Sequence, residues 1–291
     1  MYVSMKEMLN RANKGNYAVM AINCFNLETA RTVIKAAELE EAPIIINIFQ
    51  EHFEKHSDSE LITPLVKTLA ERASVEVALN FDHGQDTDLL KKALEDGFSS
   101  IMVDASRFNL DGNIKITREM VEFASLYDAS VEGEIGCLGG SEGSMFTEDS
   151  MYTNPIEAKR FVEATGVDAL AISIGTSHGN YPEGMVPEFD FERLKEIKAL
   201  TEIPLVLHGG SGSGEYNIKK SVELGINKIN VGCDFFNACT DSIKNQIKEN
   251  PNINFFTLMH QVEEDSIEKV RYYIRLSKSN QKSIKLAVLS K

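Results

Sequence analysis

Short apolar runs alternate with segments of helical period along most of this chain, and that alternation restricts the possible folds more than any other feature. Strand-length runs read at 17–22, 43–48, 75–80, 99–103, 129–134, 167–172, 204–207 and 228–231. Between them, 27–39, 61–71, 86–95, 114–127, 156–165, 191–200 and 215–224 carry helical spacing. Gly97, Gly166 and Gly225 stand where left-handed helix caps belong, and Pro43 and Pro204 begin strands, where a missing amide is tolerated. Eight strand–helix units with no break in composition predict a single-domain (β/α)8 TIM barrel over residues 1–291. The segments 244–254 and 262–276 then form a C-terminal helical extension starting at about residue 233. A doubly wound open sheet is the competing arrangement.

Composition narrows the chemistry. A formal charge of −14 argues against nucleic acid, whose binding needs clustered Lys and Arg. No apolar run approaches the length of a membrane span. The four cysteines show no paired spacing, and no leader precedes the first strand, so reduced thiols in a cytoplasm are expected.

Three of the six histidines, His83, His178 and His208, stand at or just after strand ends. Singly, each could simply finish a strand. Together they can converge on one metal, and three neutral nitrogens with an open fourth position describe a catalytic zinc site. The barrel sharpens this, because its chemistry sits at the C-terminal ends of the strands. Asp82 and His83 follow the third predicted strand and Asp104 the fourth. Glu132 and Glu134 end the fifth, His178 and His208 follow the sixth and seventh, and Asn230 lies in the eighth. All fall on one rim. The glycine-rich turn Gly209, Gly210, Ser211 and Gly212 precedes a helix, where backbone amides can cradle phosphate.

The stretches LNFDHG, VEGEIGCLGGSEG, IGTSHGNY, LVLHGGSG and KINVGCD, with the entry segment YAVMAINCFNLET, carry a family resemblance from residue 17 to about 241. The chain resembles the class II, metal-dependent ketose-bisphosphate aldolases of fructose and tagatose type. That resemblance implies a lyase of carbohydrate metabolism (glycolysis in the fructose case) that cleaves a ketose 1,6-bisphosphate to dihydroxyacetone phosphate and an aldehyde. His83, His178 and His208 match its zinc ligands. Asp82, next to a ligand yet directed elsewhere, matches the acid/base at the C4 oxygen. Glu142, in a glycine-rich loop with Gly139, Gly140 and Gly143, matches the residue that exchanges the C3 proton. Asn230 is expected to stabilise the enediolate. Asp104 and Glu134 match a second or resting divalent position beside His83. Phosphate contacts fall on Asn23, Gly179, Gly209, Gly210, Ser211, Gly232 and Cys233, with a monovalent cation nearby. A homodimer or homotetramer is implied.

Each assignment has a plainer alternative. Asp82, Asp104, Glu132 and Glu134 could serve only to orient imidazoles. Glu142 could be a solvated loop acid, and Asn230 an inward asparagine bonded to a neighbour. The chain also departs from the family pattern. Pro182 and Glu183 stand where many relatives carry a basic residue, Cys233 where threonine is common, Gly232 where Asp, Asn or Ala is common, and Phe49 where serine is common. These changes touch substrate recognition and leave the metal set intact. They keep open another ketose phosphate, such as a deoxy-keto-gluconate phosphate, or a non-catalytic sugar-phosphate-binding relative. A zinc hydrolase fits less well, because no carbamylatable lysine is expected near the metal. Arg271 and Arg275 are nominal partners for the distal phosphate.

Overall fold

The structure, a computed structural model, describes residues 1–136, 152–177, 179, 181–182 and 184–284. Strands β1 (Val19–Asn23), β2 (Ile44–Phe49), β3 (Val77–Gly84), β4 (Ser100–Val103), β5 (Ser130–Ile135), β6 (Ala169–Ile172), β7 (Leu205–Leu207) and β8 (Ile226–Val231) pair in parallel. They close in chain order, β8 returning to β1. Helices α1 (Met5–Gly15), α2 (Leu27–Leu39), α3 (Gln50–Lys55), α4 (Ser59–Arg72), α5 (Thr87–Glu95), α6 (Leu110–Ala124), α7 (Pro155–Thr165), α8 (Phe191–Thr201) and α9 (Glu215–Glu223) come before α10 (Cys233–Glu249) and α11 (Phe255–Leu276). This is the (β/α)8 barrel with a helical C-terminal region.

Period-2 alternation divides the strand residues between two cores. Ile44, Ile46, Ile48, Leu79 and Phe81 face the helices, while Val19, Ala21, Ile45, Ala78, Met102, Ala171 and Val206 belong to an inner cluster. Met5, Met8, Leu9 and Ala12 of α1 join that inner cluster. The Met5 amide donates to Ser100 Oγ at 3.1 Å and to Ser130 Oγ at 3.2 Å, at the first residues of β4 and β5. The unanticipated helix α1 therefore plugs the N-terminal end of the barrel and leaves the opposite rim for chemistry.

Local signals place the elements. Asn154 caps α7 ahead of Pro155, and Gly166 ends it in the left-handed conformation. The helix α11 packs against α10 on one side and α2 on the other, where Arg31 Nε donates to Glu263 at 2.6 Å. Arg271 and Arg275 both bond Glu40, at 2.8 and 2.7 Å, at the C-terminal end of α2. That end lies at the N-terminal rim of the barrel, so neither arginine reaches the site rim as a phosphate partner. Among the described residues, no helix is long and apolar enough to cross a membrane.

Candidate active site

The C-terminal strand ends bring most of the expected residues into one cleft. Asp82, His83, Gly179, His208, Gly209, Ser211, Asn230, Gly232 and Cys233 line one open pocket. Asn23, buried at the end of β1 in register with Asn47, is not among its lining residues. His178, Glu142, Gly139, Gly140, Gly143 and Glu183 lie outside the described residues.

The family resemblance has Asp82 directed away from its neighbour His83, as alternation along a strand would also have it. In the structure the two converge. His83 has a left-handed backbone, φ 51°, and the β3–β4 register shifts between Phe81 and Gly84. A non-glycine residue bears a cost of about 1–2 kcal/mol there. The kink directs both side chains to one centre, where ligating atoms of Asp82, His83 and His208 lie within 4.8 Å of one another.

The two imidazoles meet nitrogen to nitrogen, with His208 Nδ1 at 2.9 Å from His83 Nε2. Beyond them, His83 Nδ1 lies 3.3 Å from Asp104 Oδ2, and His208 Nε2 lies 2.9 Å from Glu132 Oε1. Glu132 Oε2 accepts from Lys228 Nζ at 2.7 Å. Asn230 Nδ2 donates to Asp82 Oδ1 at 3.1 Å. Phe49 sets its ring edge-on to His83 with centroids 5.6 Å apart.

Electrostatics favour positive charge between the rings. Burial alone would lower the His83 imidazole, but the charges of Asp82, Glu134 and Asp104 and the hydrogen bond to Asp104 prevail and raise it to about 10. Burial and the neighbouring Asp104 charge push Glu134 up to about 8. Asp104 is held low despite its burial, by hydrogen bonds from His83, Ser106 and Gln85. Burial and the positive His83 hold the His208 imidazole well below its usual range. A divalent ion at the junction of the rings would supply the charge these acids call for. The donor set fits such an ion: Glu134 Oε2 is buried without a hydrogen-bond donor among the described residues, 3.8 Å from His83 Nδ1. His83, Asp104 and Glu134 form a second cluster of potential ligands.

The loop after β7 approaches the rim by backbone alone. Gly209 has φ 66°, and a Cβ there would meet the Ser177 carbonyl at 2.4 Å. The Gly210 amide donates to the Asn230 carbonyl at 3.0 Å, so Gly210 contributes close approach, with its N–H already engaged. The Asp234 amide donates to Ser211 Oγ at 3.1 Å and Tyr273 donates to the Asp234 carboxylate at 2.5 Å, joining this loop to the start of α10. Gly209→Ala is expected to cost roughly 1–3 kcal/mol, read as a lowered Tm. An unchanged Tm would mean that the loop relaxes without strain.

Lys228 was not anticipated. It lies just behind the site, contrary to the expectation of no lysine near the metal, although its ion pair with Glu132 occupies it.

The family described as fructose-bisphosphate aldolase class-II matches residues 3–282. The YdjI aldolase from Escherichia coli K12 is 31% identical, with a TM-score of 0.84, over 98% of this chain and 100% of that one. A protein from Coccidioides immitis, described as a candidate fructose-1,6-bisphosphate aldolase, is also 31% identical, with a TM-score of 0.84, over 95% of this chain and 96% of its own. The fructose-bisphosphate aldolase of Campylobacter jejuni shares the fold at 22% identity, with a TM-score of 0.84 and 97% of each chain covered. With its family matched over nearly the whole length and its polar residues gathered on one barrel rim, the chain belongs to the class II fructose-bisphosphate aldolase family and is a lyase of that class.

Proposed function

We propose that this protein is a zinc-dependent aldolase that reversibly cleaves a ketose 1,6-bisphosphate of fructose or tagatose type to dihydroxyacetone phosphate and an aldehyde. The observation that carries the reading is the 2.9 Å approach of His83 Nε2 and His208 Nδ1 beside Asp82 and Asn230. His83, His208 and His178 would hold zinc, which when bound supplies Lewis acidity to the ketone oxygen. Asp104 and Glu134 offer a second divalent position beside His83.

In cleavage, Asp82 takes the C4 hydroxyl proton as the C3–C4 bond breaks, and the bonding electrons pass to the ketone fragment as an enediolate. Asn230 steadies that developing charge. Its buried Oδ1 has no donor among the described residues and can accept from a substrate hydroxyl. Glu142 returns a proton to C3. Gly179, Gly209, Gly210, Ser211, Gly232 and Cys233 bound the phosphate end, with Asn23 a further phosphate contact in this reading and a monovalent cation near their carbonyls.

The chain is proposed to act as one unit in the cytoplasm, as a homodimer or homotetramer. Phe255 and Phe256, exposed by 77% and 82% at the start of α11, support a subunit contact.

The ring of Phe49 against His83 favours a second sugar reading, a deoxy-keto-gluconate phosphate or another ketose phosphate. A panel of ketose 1-phosphates and 1,6-bisphosphates, with metal measured on the same sample, decides. Triose phosphate release that is lost with EDTA and regained with Zn2+ is expected. Full turnover after exhaustive chelation would remove the metal from the mechanism.

A further inference from the structure

Lys228 and Glu132 are both fully buried in the barrel interior (0% exposed). Burying such a pair brings no assured stability. Its geometry offers another reason for its presence. Glu132 holds Lys228 Nζ on one oxygen at 2.7 Å and His208 Nε2 on the other at 2.9 Å. An ionised carboxylate can only accept, so His208 must carry its proton on Nε2. Its Nδ1 lone pair then faces His83 Nε2, where a metal ligand is required. The Asn230 amide donates one hydrogen to Asp82 and has its second within 3.3 Å of His208 Nδ1, a contact that agrees with a bare Nδ1 and a proton on Nε2.

We propose that Glu132 is a tautomer lock on His208, with Lys228 holding its other oxygen and, once residue 132 is an amide, determining which end faces the imidazole. The inference rests on the metal-site reading of the preceding section.

An amide at position 132 exposes the logic, because it has one accepting end and one donating end. After Glu132→Gln, the Lys228 ammonium claims the amide oxygen. The amide N–H then points at His208 Nε2, which must accept. The ring proton moves to Nδ1, His83 then presenting a bare Nε2 to it across the 2.9 Å contact, and the ligating lone pair is lost. In Glu132→Gln/Lys228→Met no cation competes for the oxygen, which turns to His208 and restores the Nε2 proton. Lys228→Met alone leaves a group able to accept from His208, so the lock persists even though the ion pair is gone.

The test uses the full chain in four forms: native, Glu132→Gln, Lys228→Met and the double variant. Zn2+ affinity is measured by competition with a chromophoric chelator. The His208 tautomer is read by long-range 1H–15N NMR on zinc-free protein, the signal being assigned by its loss in His208→Ala. Tm is recorded alongside.

Both single variants are expected to lower Tm, because each leaves one buried group without its ionic partner. Only Glu132→Gln is expected to move the proton to Nδ1 and weaken Zn2+ binding about 10–100-fold. The double variant is expected to recover the native tautomer and most of the affinity. The lock is overturned if Glu132→Gln keeps the proton on Nε2, or if Lys228→Met loses as much Zn2+ affinity as Glu132→Gln. A native protein that binds no Zn2+ would instead count against the metal reading, and the tautomer series would still decide the lock.

Discussion

His208→Ala is expected to remove metal and activity together. His208 is fully buried and offers one of the two facing nitrogens. Its loss should weaken Zn2+ by more than the roughly 10–100-fold of an outer-sphere change. Lewis-acid stabilisation is worth several kcal/mol, so turnover should fall by about 10³-fold or more at about 1.4 kcal/mol per decade. The substitution also leaves Glu132 bonded to Lys228 alone, so the ion pair survives and the barrel should remain folded. Metal content by mass spectrometry, beside circular dichroism, checks this. A folded variant that keeps stoichiometric zinc would place the metal elsewhere.

The second large effect separates acid/base chemistry from metal holding. Asp82→Ala is expected to lower kcat by about 10²–10⁴-fold, the usual contribution of a positioned proton-transfer group, while bound zinc stays near native. The measurement has particular value because the kink at His83 sends Asp82 toward both imidazoles, within ligating distance of a shared ion. Zinc lost in parallel with His208→Ala would make Asp82 a ligand. An unchanged kcat would remove its proton-transfer role. Asp82→Asn, which keeps an oxygen for the Asn230 amide, controls for the loss of that 3.1 Å contact.

Much of the barrel was legible because its local signals agree with its topology. The helix α2 has the bounds that its apolar spacing predicts, and the predicted strand bounds fall within two residues of the observed ones except at the end of β3, which runs four residues further to Gly84. The helix α1 was missed although Ser4 caps it and Met5, Met8, Leu9 and Ala12 share a face, since it precedes the first strand and stands outside the alternation. The start of α6 was hidden because Gly112 in its first turn reads as loop, while the Asn109 cap marks the true beginning. In the site, residue identity and rim position foretold which side chains gather, but not their directions. The resemblance had Asp82 directed away from His83; the left-handed backbone at His83 and the register shift beside it accompany their convergence. Lys228 looked like the polar beginning of a strand; its burial makes sense only beside Glu132, 96 residues earlier in the chain.

The facing imidazoles come from β3 and β7, four strands apart around the ring and 125 residues apart in sequence. Neither half of the barrel holds the pair by itself. The site comes into being when the two halves join, so zinc uptake during refolding would time the closure of the sheet.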